Sequence, residues 1–157
     1  LEVTNIFNKE LAGGYLYDIG VYPLYFTLAM FGEPKEYFGY NFLLSSGVDG
    51  CGSILLKYED KIANISYSKI THEQSQSEIL GENGSIIIDK VSHVKGITIK
   101  YRDGREEKLG IELYENDMRY EIEEFIKLIK NGEVESKLNS FTTSRKCVEI
   151  MENIANK

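Results

Sequence analysis

The sequence predicts an α+β fold: an open, mainly antiparallel sheet with helices packed on one face and the other face available for oligomerisation. Three observations predict it. Aromatic and β-branched runs recur between residues 37 and 113, with turn residues rather than helices between them. That pattern calls for hairpins, hence antiparallel pairing rather than βαβ units. Met118, Ile122, Phe125, Ile126 and Ile129 recur at the spacing of one helix face. In the first strand, Phe38, Tyr40, Phe42 and Leu44 fall on one side while Tyr37 and Leu43 fall on the other. Bulk on both sides of a sheet needs two covers. Helices can supply one and a partner protein the other.

The elements follow in order. Residues 1–12 are a short polar lead-in. Residues 13–31 form an apolar helical segment that stops at Gly32 and Pro34, where glycine takes the cap and proline blocks continuation. Pro23 within it lacks a backbone donor and crowds the carbonyl of Ile19, which predicts a kink or a helix that restarts there. Strands are expected over Tyr37–Leu44, Ser53–Tyr58, Ile62–Ile70, Ser77–Leu80, Ser85–Asp89, Ile97–Arg102 and Glu106–Leu113. Asn83-Gly84 and Asp103-Gly104 suit two-residue hairpin turns, and Glu59-Asp60-Lys61 makes a third turn. Helices are expected over 117–131, ending at Asn131-Gly132, and over 142–156. The last has Thr142 as cap and buries Cys147, Ile150, Met151 and Ile154.

Length and composition bound the function. At 157 residues, 42% hydrophobic and 27% charged, the chain reads as a single domain, 1–157, with no low-complexity segment. The net charge of −7 argues against nucleic acid or an anionic membrane surface as partner. No run of 18 apolar residues is present, and the first residues lack the pattern of a secretory signal. The chain does not begin with Met, which fits a start inside something longer. Cys51 and Cys147 are isolated and read as reduced thiols of a cytoplasmic protein. His72 and His93 have no ligand partners at metal spacing, so no metal is expected.

One constellation carries chemistry. In Gly13-Gly14-Tyr15-Leu16-Tyr17-Asp18-Ile19-Gly20-Val21-Tyr22, a carboxylate and a phenol lie four residues apart. On a regular helix that spacing puts both on one face, with Cβ atoms about 5–6 Å apart. Asp18 is an acceptor that can orient a hydroxyl-bearing substrate or hold a cation in place. Tyr22 can exchange a proton with an alcohol oxygen if a cation lowers its pKa. No Lys or Arg lies within 13–31 to serve as that cation. Gly13, Gly14 and Gly20 leave the segment bare, and Tyr15 flanks it. The glycine clusters Gly47–Gly52 and Gly81–Gly84 sit between strands and open no helix, so they read as turns rather than pyrophosphate loops.

These residues also carry a resemblance. The run GGYLYDIGVYPL, the helix ending FGEP, the following strands, the ILGENGSIII hairpin and the YEIEEFIKLIKNGE helix resemble, in order, the C-terminal domain of the glucose–fructose oxidoreductase/inositol dehydrogenase (Gfo/Idh/MocA) family. Tyrosine at position 22, where many members have histidine, is similar to the dihydrodiol and xylose dehydrogenase branch. The resemblance implies part of an oxidoreductase that moves hydride between NAD or NADP and the hydroxyl-bearing carbon of a sugar, polyol or diol. It implies that Asp18 and Tyr22 are catalytic, and that Gly13, Gly14, Tyr15 and Gly20 face substrate or cofactor. The nucleotide and a catalytic lysine would come from an N-terminal Rossmann domain absent from this chain, which alone would be inactive. It further implies a homodimer or tetramer built through the sheet. A non-catalytic binding or oligomerisation module with the same fold is the alternative.

Overall fold

The computed structural model describes residues 7–11, 13–72, 75–110, 114 and 116–155. Most of the expected lead-in, the last three residues of the expected strand 106–113, and position 156 of the last helix lie outside the described residues. Two compact units are formed, one from Leu1–Glu73 with Lys137–Lys157, the other from Gln74–Ser136.

The first unit is a three-stranded antiparallel sheet with helices on one face. Its strands are β1 (Glu36–Leu43), β2 (Asp49–Lys57) and β3 (Ile62–Ser68), in the order β1-β2-β3. The register pairs Phe38 with Leu55 and Ile54 with Ile65. The expected turn over residues 59–61 is present, closed by Tyr58 N–H donating to the Lys61 carbonyl at 3.0 Å. A register shift between Phe42 and Leu43 ends the alternation, leaving Leu43 exposed.

Helix α1 (Val21–Phe31) is preceded by a π-helical turn over Leu16–Gly20, so the apolar segment restarts close to Pro23, as its missing donor requires. Pro23 is the third residue of α1, within the first turn, where backbone N–H groups have no intrahelical acceptor. Gly32 ends α1 at φ 76°, its N–H bonding the Leu28 carbonyl. Helix α2, which belongs to the other unit, is described below. Helix α3 (Phe141–Ala155) completes this unit. It is capped by Ser140, whose hydroxyl accepts from Thr143 N–H at 3.1 Å. The expected cap, Thr142, is already the second helical residue and cannot act as one.

The core lies between these helices and the inner sheet face. Leu16, Leu24, Ile54, Leu56, Tyr67, Ile150 and Ile154 are fully buried there, and Cys147 and Met151 nearly so. Close approach depends on absent side chains: a Cβ on Gly39 would lie 2.7 Å from Ile154 Cδ1, and one on Gly52 would collide with the Tyr67 hydroxyl. Tyr67 donates instead to Asn41. The outer face of the same sheet carries Phe38, Tyr40, Phe42 and Leu55, all exposed, with Tyr40 at 82%.

The second unit is a four-stranded antiparallel sheet, β4 (Ser77–Gly81), β5 (Gly84–Ile88), β6 (Ile97–Tyr101) and β7 (Glu106–Leu109), in sequence order, with α2 (Met118–Asn131). The seven strands are therefore divided between two sheets. Two expected turns differ in detail. Gly81 pairs with Gly84, so the first hairpin turns on Glu82-Asn83 and Gly84 belongs to β5. A Cβ on Gly84 would collide with the Lys100 carbonyl of β6, so this glycine serves close strand approach rather than a turn conformation. The second hairpin has a longer loop: Tyr101 N–H bonds the Arg105 carbonyl, and Gly104 takes φ 90°. Asp103 holds that loop by accepting from Arg105 N–H and Nε. The expected stripe on α2 is present but exposed, Met118, Ile122, Phe125, Ile126 and Ile129 included. Gly132 closes α2 in the left-handed conformation, as Asn131-Gly132 predicts.

Two measurements check this packing. Ile150→Ala, at a fully buried position, should lower the free energy of unfolding by about 2–5 kcal/mol in urea titrations. Tyr67 supplies a pH signature. Burial above all, then the charges of Asp49 and Cys51, pushes its phenol well above the usual value. Above about pH 10 the unfolded phenol releases a proton that the folded one keeps. The associated stability is thus complete below pH 10 and is lost as pH rises towards the folded value. Wild type should lose up to about 1.4 kcal/mol per pH unit more than Tyr67→Phe between about pH 10 and 11. Parallel pH profiles for the two proteins would contradict this.

Candidate active site

The site begins at its two leading glycines. Gly14 adopts φ 134°, a conformation that L side chains rarely take. The amides that follow, Tyr15 and Leu16, point at one acceptor: Oδ2 of Asp49, at 3.0 and 2.7 Å. Asp49 is the first residue of β2 and only 7% exposed. Its charge satisfies donors that the start of a helical segment otherwise leaves unpaired, and it lies where the helix dipole favours an anion.

The chain then makes the π turn, with Asp18 exposed in its middle, and passes into α1 with Tyr22 as its second residue. Tyr22 is 51% exposed. The regular α-helix expected across this pair is therefore replaced by a π-to-α junction, with Asp18 before it in the chain and Tyr22 after it. Such π turns recur at functional sites. Leu16 and Leu24 of the same segment are fully buried and anchor it to the core.

The other expected site residues divide. Gly13 is half-buried. Gly14, Tyr15 and Gly20 are buried within the first unit. A Cβ on Gly14 would collide with Asp49 Oδ1, and one on Gly20 would press against Leu16 and Tyr67 at 3.2 Å. Tyr15 is 1% exposed; its ring packs against Phe7 at 5.7 Å between centroids, and Lys69 Nζ sits 5.3 Å over it. Intramolecular packing thus accounts for these three residue types. Burial, then the charges of Asp18 and Asp49, raises the Tyr15 pKa. Burial, then Glu152 and Asp49, does the same for Tyr17, which is partly exposed.

Asp49 is the residue the sequence reading passed over. It sits in a glycine cluster taken for a turn, whereas only Gly47 is in the turn, at φ 82°, and Gly50 and Gly52 belong to β2. The available signal was a lone carboxylate at the head of a strand whose other residues, apart from the terminal Lys57, are apolar or small. Its partners lie 33 and 34 positions away, beyond any local pattern.

Among the described residues, no three His, Cys, Asp or Glu side chains are grouped as metal ligands. Neither glycine cluster opens a helix, so the described residues include no strand–turn–helix cradle for a pyrophosphate. His93 pairs with Asp117 through Nδ1 and Oδ2 at 2.5 Å and holds that carboxyl below the usual range, while His72 is exposed.

Comparison with known proteins places this arrangement. The family model for the GFO/IDH/MocA C-terminal domain matches residues 2–87. The chain is 43% identical over 150 residues to scyllo-inositol 2-dehydrogenase (NADP(+)) IolU of Bacillus subtilis, covering 96% of this chain and 46% of that protein. It is 31% identical to trans-1,2-dihydrobenzene-1,2-diol dehydrogenase of Xenopus tropicalis, covering 96% of this chain and 48% of the relative. In structure it is similar to aldose-aldose oxidoreductase from Caulobacter crescentus, with TM-score 0.80 at 19% identity, over 98% of this chain and 48% of that one. The chain thus spans about half the length of these two curated relatives. By its motif, its α+β architecture and these matches, the chain belongs to the GFO/IDH/MocA family and corresponds to its C-terminal domain.

Proposed function

We propose that this chain is the substrate-side part of an NAD(P)-dependent oxidoreductase acting on a hydroxyl of a sugar, polyol or diol. The observation that carries the reading is the pair of exposed acid–base groups, Asp18 and Tyr22, on a rigidly anchored segment beside half-buried Gly13. An alcohol oxygen could approach both without disturbing the core. Tyr22 Oη exchanges the proton of the reacting hydroxyl, and Asp18 accepts a hydrogen bond that orients it. A nicotinamide ring, when bound, supplies or accepts the hydride. This chain offers it the half-buried Gly13, and a Rossmann domain elsewhere in the protein holds the nucleotide. That domain also supplies the cation that Tyr22 requires. The first substrate pair to test is scyllo-inositol with NADP(+), after the 43% identical relative.

The outer face of β1–β3 is read as a homo-oligomer interface, in a dimer or tetramer. Phe38, Tyr40, Phe42 and Leu55 form a contiguous exposed apolar patch across paired strands, the kind of surface that marks association. Two unpaired cysteines support a cytoplasmic setting.

In the full-length protein, Tyr22→Phe should lower kcat by roughly 10²–10⁴, the size of a general acid–base contribution, with nucleotide affinity unchanged. Steady-state kinetics across sugars, polyols and diols with both nucleotides measure this; wild-type turnover removes Tyr22 from the chemistry. Independently, the double substitution Phe38→Glu with Tyr40→Glu should dissociate the assembly in sedimentation velocity while circular dichroism stays native. An unchanged sedimentation coefficient rejects the interface.

A further inference from the structure

We propose that Asp49 is a positioning residue for the Asp18–Tyr22 pair, tethering the catalytic segment to the sheet; this rests on the functional reading above. Both ends of the tether are fixed. At one end, β2 holds Asp49 by its pairing with Leu43, and the next residue, Gly50, accepts from Lys69 N–H at 3.0 Å. At the other, Asp49 Oδ2 accepts from two successive amides, Tyr15 and Leu16, immediately before the turn that carries Asp18.

The second carboxylate oxygen, Oδ1, faces Gly14 so closely that a Cβ would collide with it. The carboxylate is thus clamped between a bare backbone and two N–H groups, which leaves it no alternative rotamer without losing both bonds. Charge-assisted bonds of this kind are short and roughly twice as strong as neutral ones. From the tethered amides to Tyr22 the chain runs through the π turn into α1, with Leu16 before Asp18 and Leu24 after Tyr22 both fully buried. A shift at the tethered amides is therefore passed along the π turn to Asp18 and Tyr22. Misplacement of a reacting group by about 1 Å can cost about 10²-fold in rate.

The tether also explains the second of the paired glycines. Position 14 must be glycine for its conformation and for the carboxylate against it.

The test uses the full-length protein and the substrate pair giving highest turnover in the screen described above. Asp49→Asn removes the charge; Asp49→Glu keeps charge and both oxygens but lengthens the tether by one methylene. Both should lower kcat at least tenfold, with nucleotide KM within about twofold of wild type. Tyr22→Phe should cost less in the Asp49→Asn background than in wild type, because the phenol is already displaced. Hydrogen exchange at the Leu16 amide should quicken in both variants, reading the tether without reference to activity. If exchange quickens while kcat stays within twofold of wild type, Asp49 is a structural cap and the proposal is overturned. Full rescue by Asp49→Glu overturns it too, since charge rather than placement would then be what matters. Loss of the catalytic reading shows separately, as unaltered turnover in Tyr22→Phe alone.

Discussion

The first unit depends on how closely its helices approach the inner face of a three-stranded sheet. Three strands expose a narrow face, and covering it with α1, α3 and the π turn requires backbone contact distances that side chains would prevent. Glycine at 39 admits Ile154, and glycine at 52 admits the Tyr67 ring. Tyr67 in turn lies against Gly20. One aromatic ring therefore keys the centre of the sheet to the end of the π turn. Its hydroxyl is satisfied by Asn41 on β1, so burial leaves no unpaired polar atom at the keystone. Interiors packed to this density transmit displacement rather than absorbing it.

Local signals carried the strands, α2, α3 and the four buried residues of α3, because alternation and the 3.6-residue period act within one element. The helical restart at Pro23 was legible for the same reason: a missing donor has a fixed local consequence. Failures were of two kinds. Asn83-Gly84 and Asp103-Gly104 were read for their ability to take positive φ. Yet Gly84 is a glycine because β6 passes against it, and Asp103-Gly104 belongs to a longer loop held by Arg105. In each case a tertiary or side-chain contact overrode dipeptide preference. The other failure, Asp49, is a long-range cap. No periodicity marks an acceptor whose donors lie more than thirty residues upstream.

The candidate site shows the same division. Exposure of Asp18 and Tyr22 agrees with what their polarity suggests. The roles of Gly14, Tyr15 and Gly20 were not legible, because a bare or aromatic residue beside a site can equally be a packing device. Each has a packing role in the structure: a Cβ on Gly14 would collide with Asp49, one on Gly20 would press on Leu16 and Tyr67, and Tyr15 is enclosed. A conspicuous glycine–aromatic motif next to candidate catalytic groups thus records how the groups are held at least as much as what they touch.

The π turn joins these threads. A regular helix from Leu16 onward would place an N–H in the ladder at position 23, which proline cannot supply. The chain instead widens before Gly20 and begins a fresh α-helix at Val21, so that Pro23 falls among residues that need no donor. Asp18 thus lies in the π turn and Tyr22 in the first turn of α1. Leu24 and Leu28 fix the downstream end by burial. Upstream, the buried Tyr15 and Leu16 side chains hold the segment, and the buried carboxylate of Asp49 adds two hydrogen bonds to the amides of the same two residues.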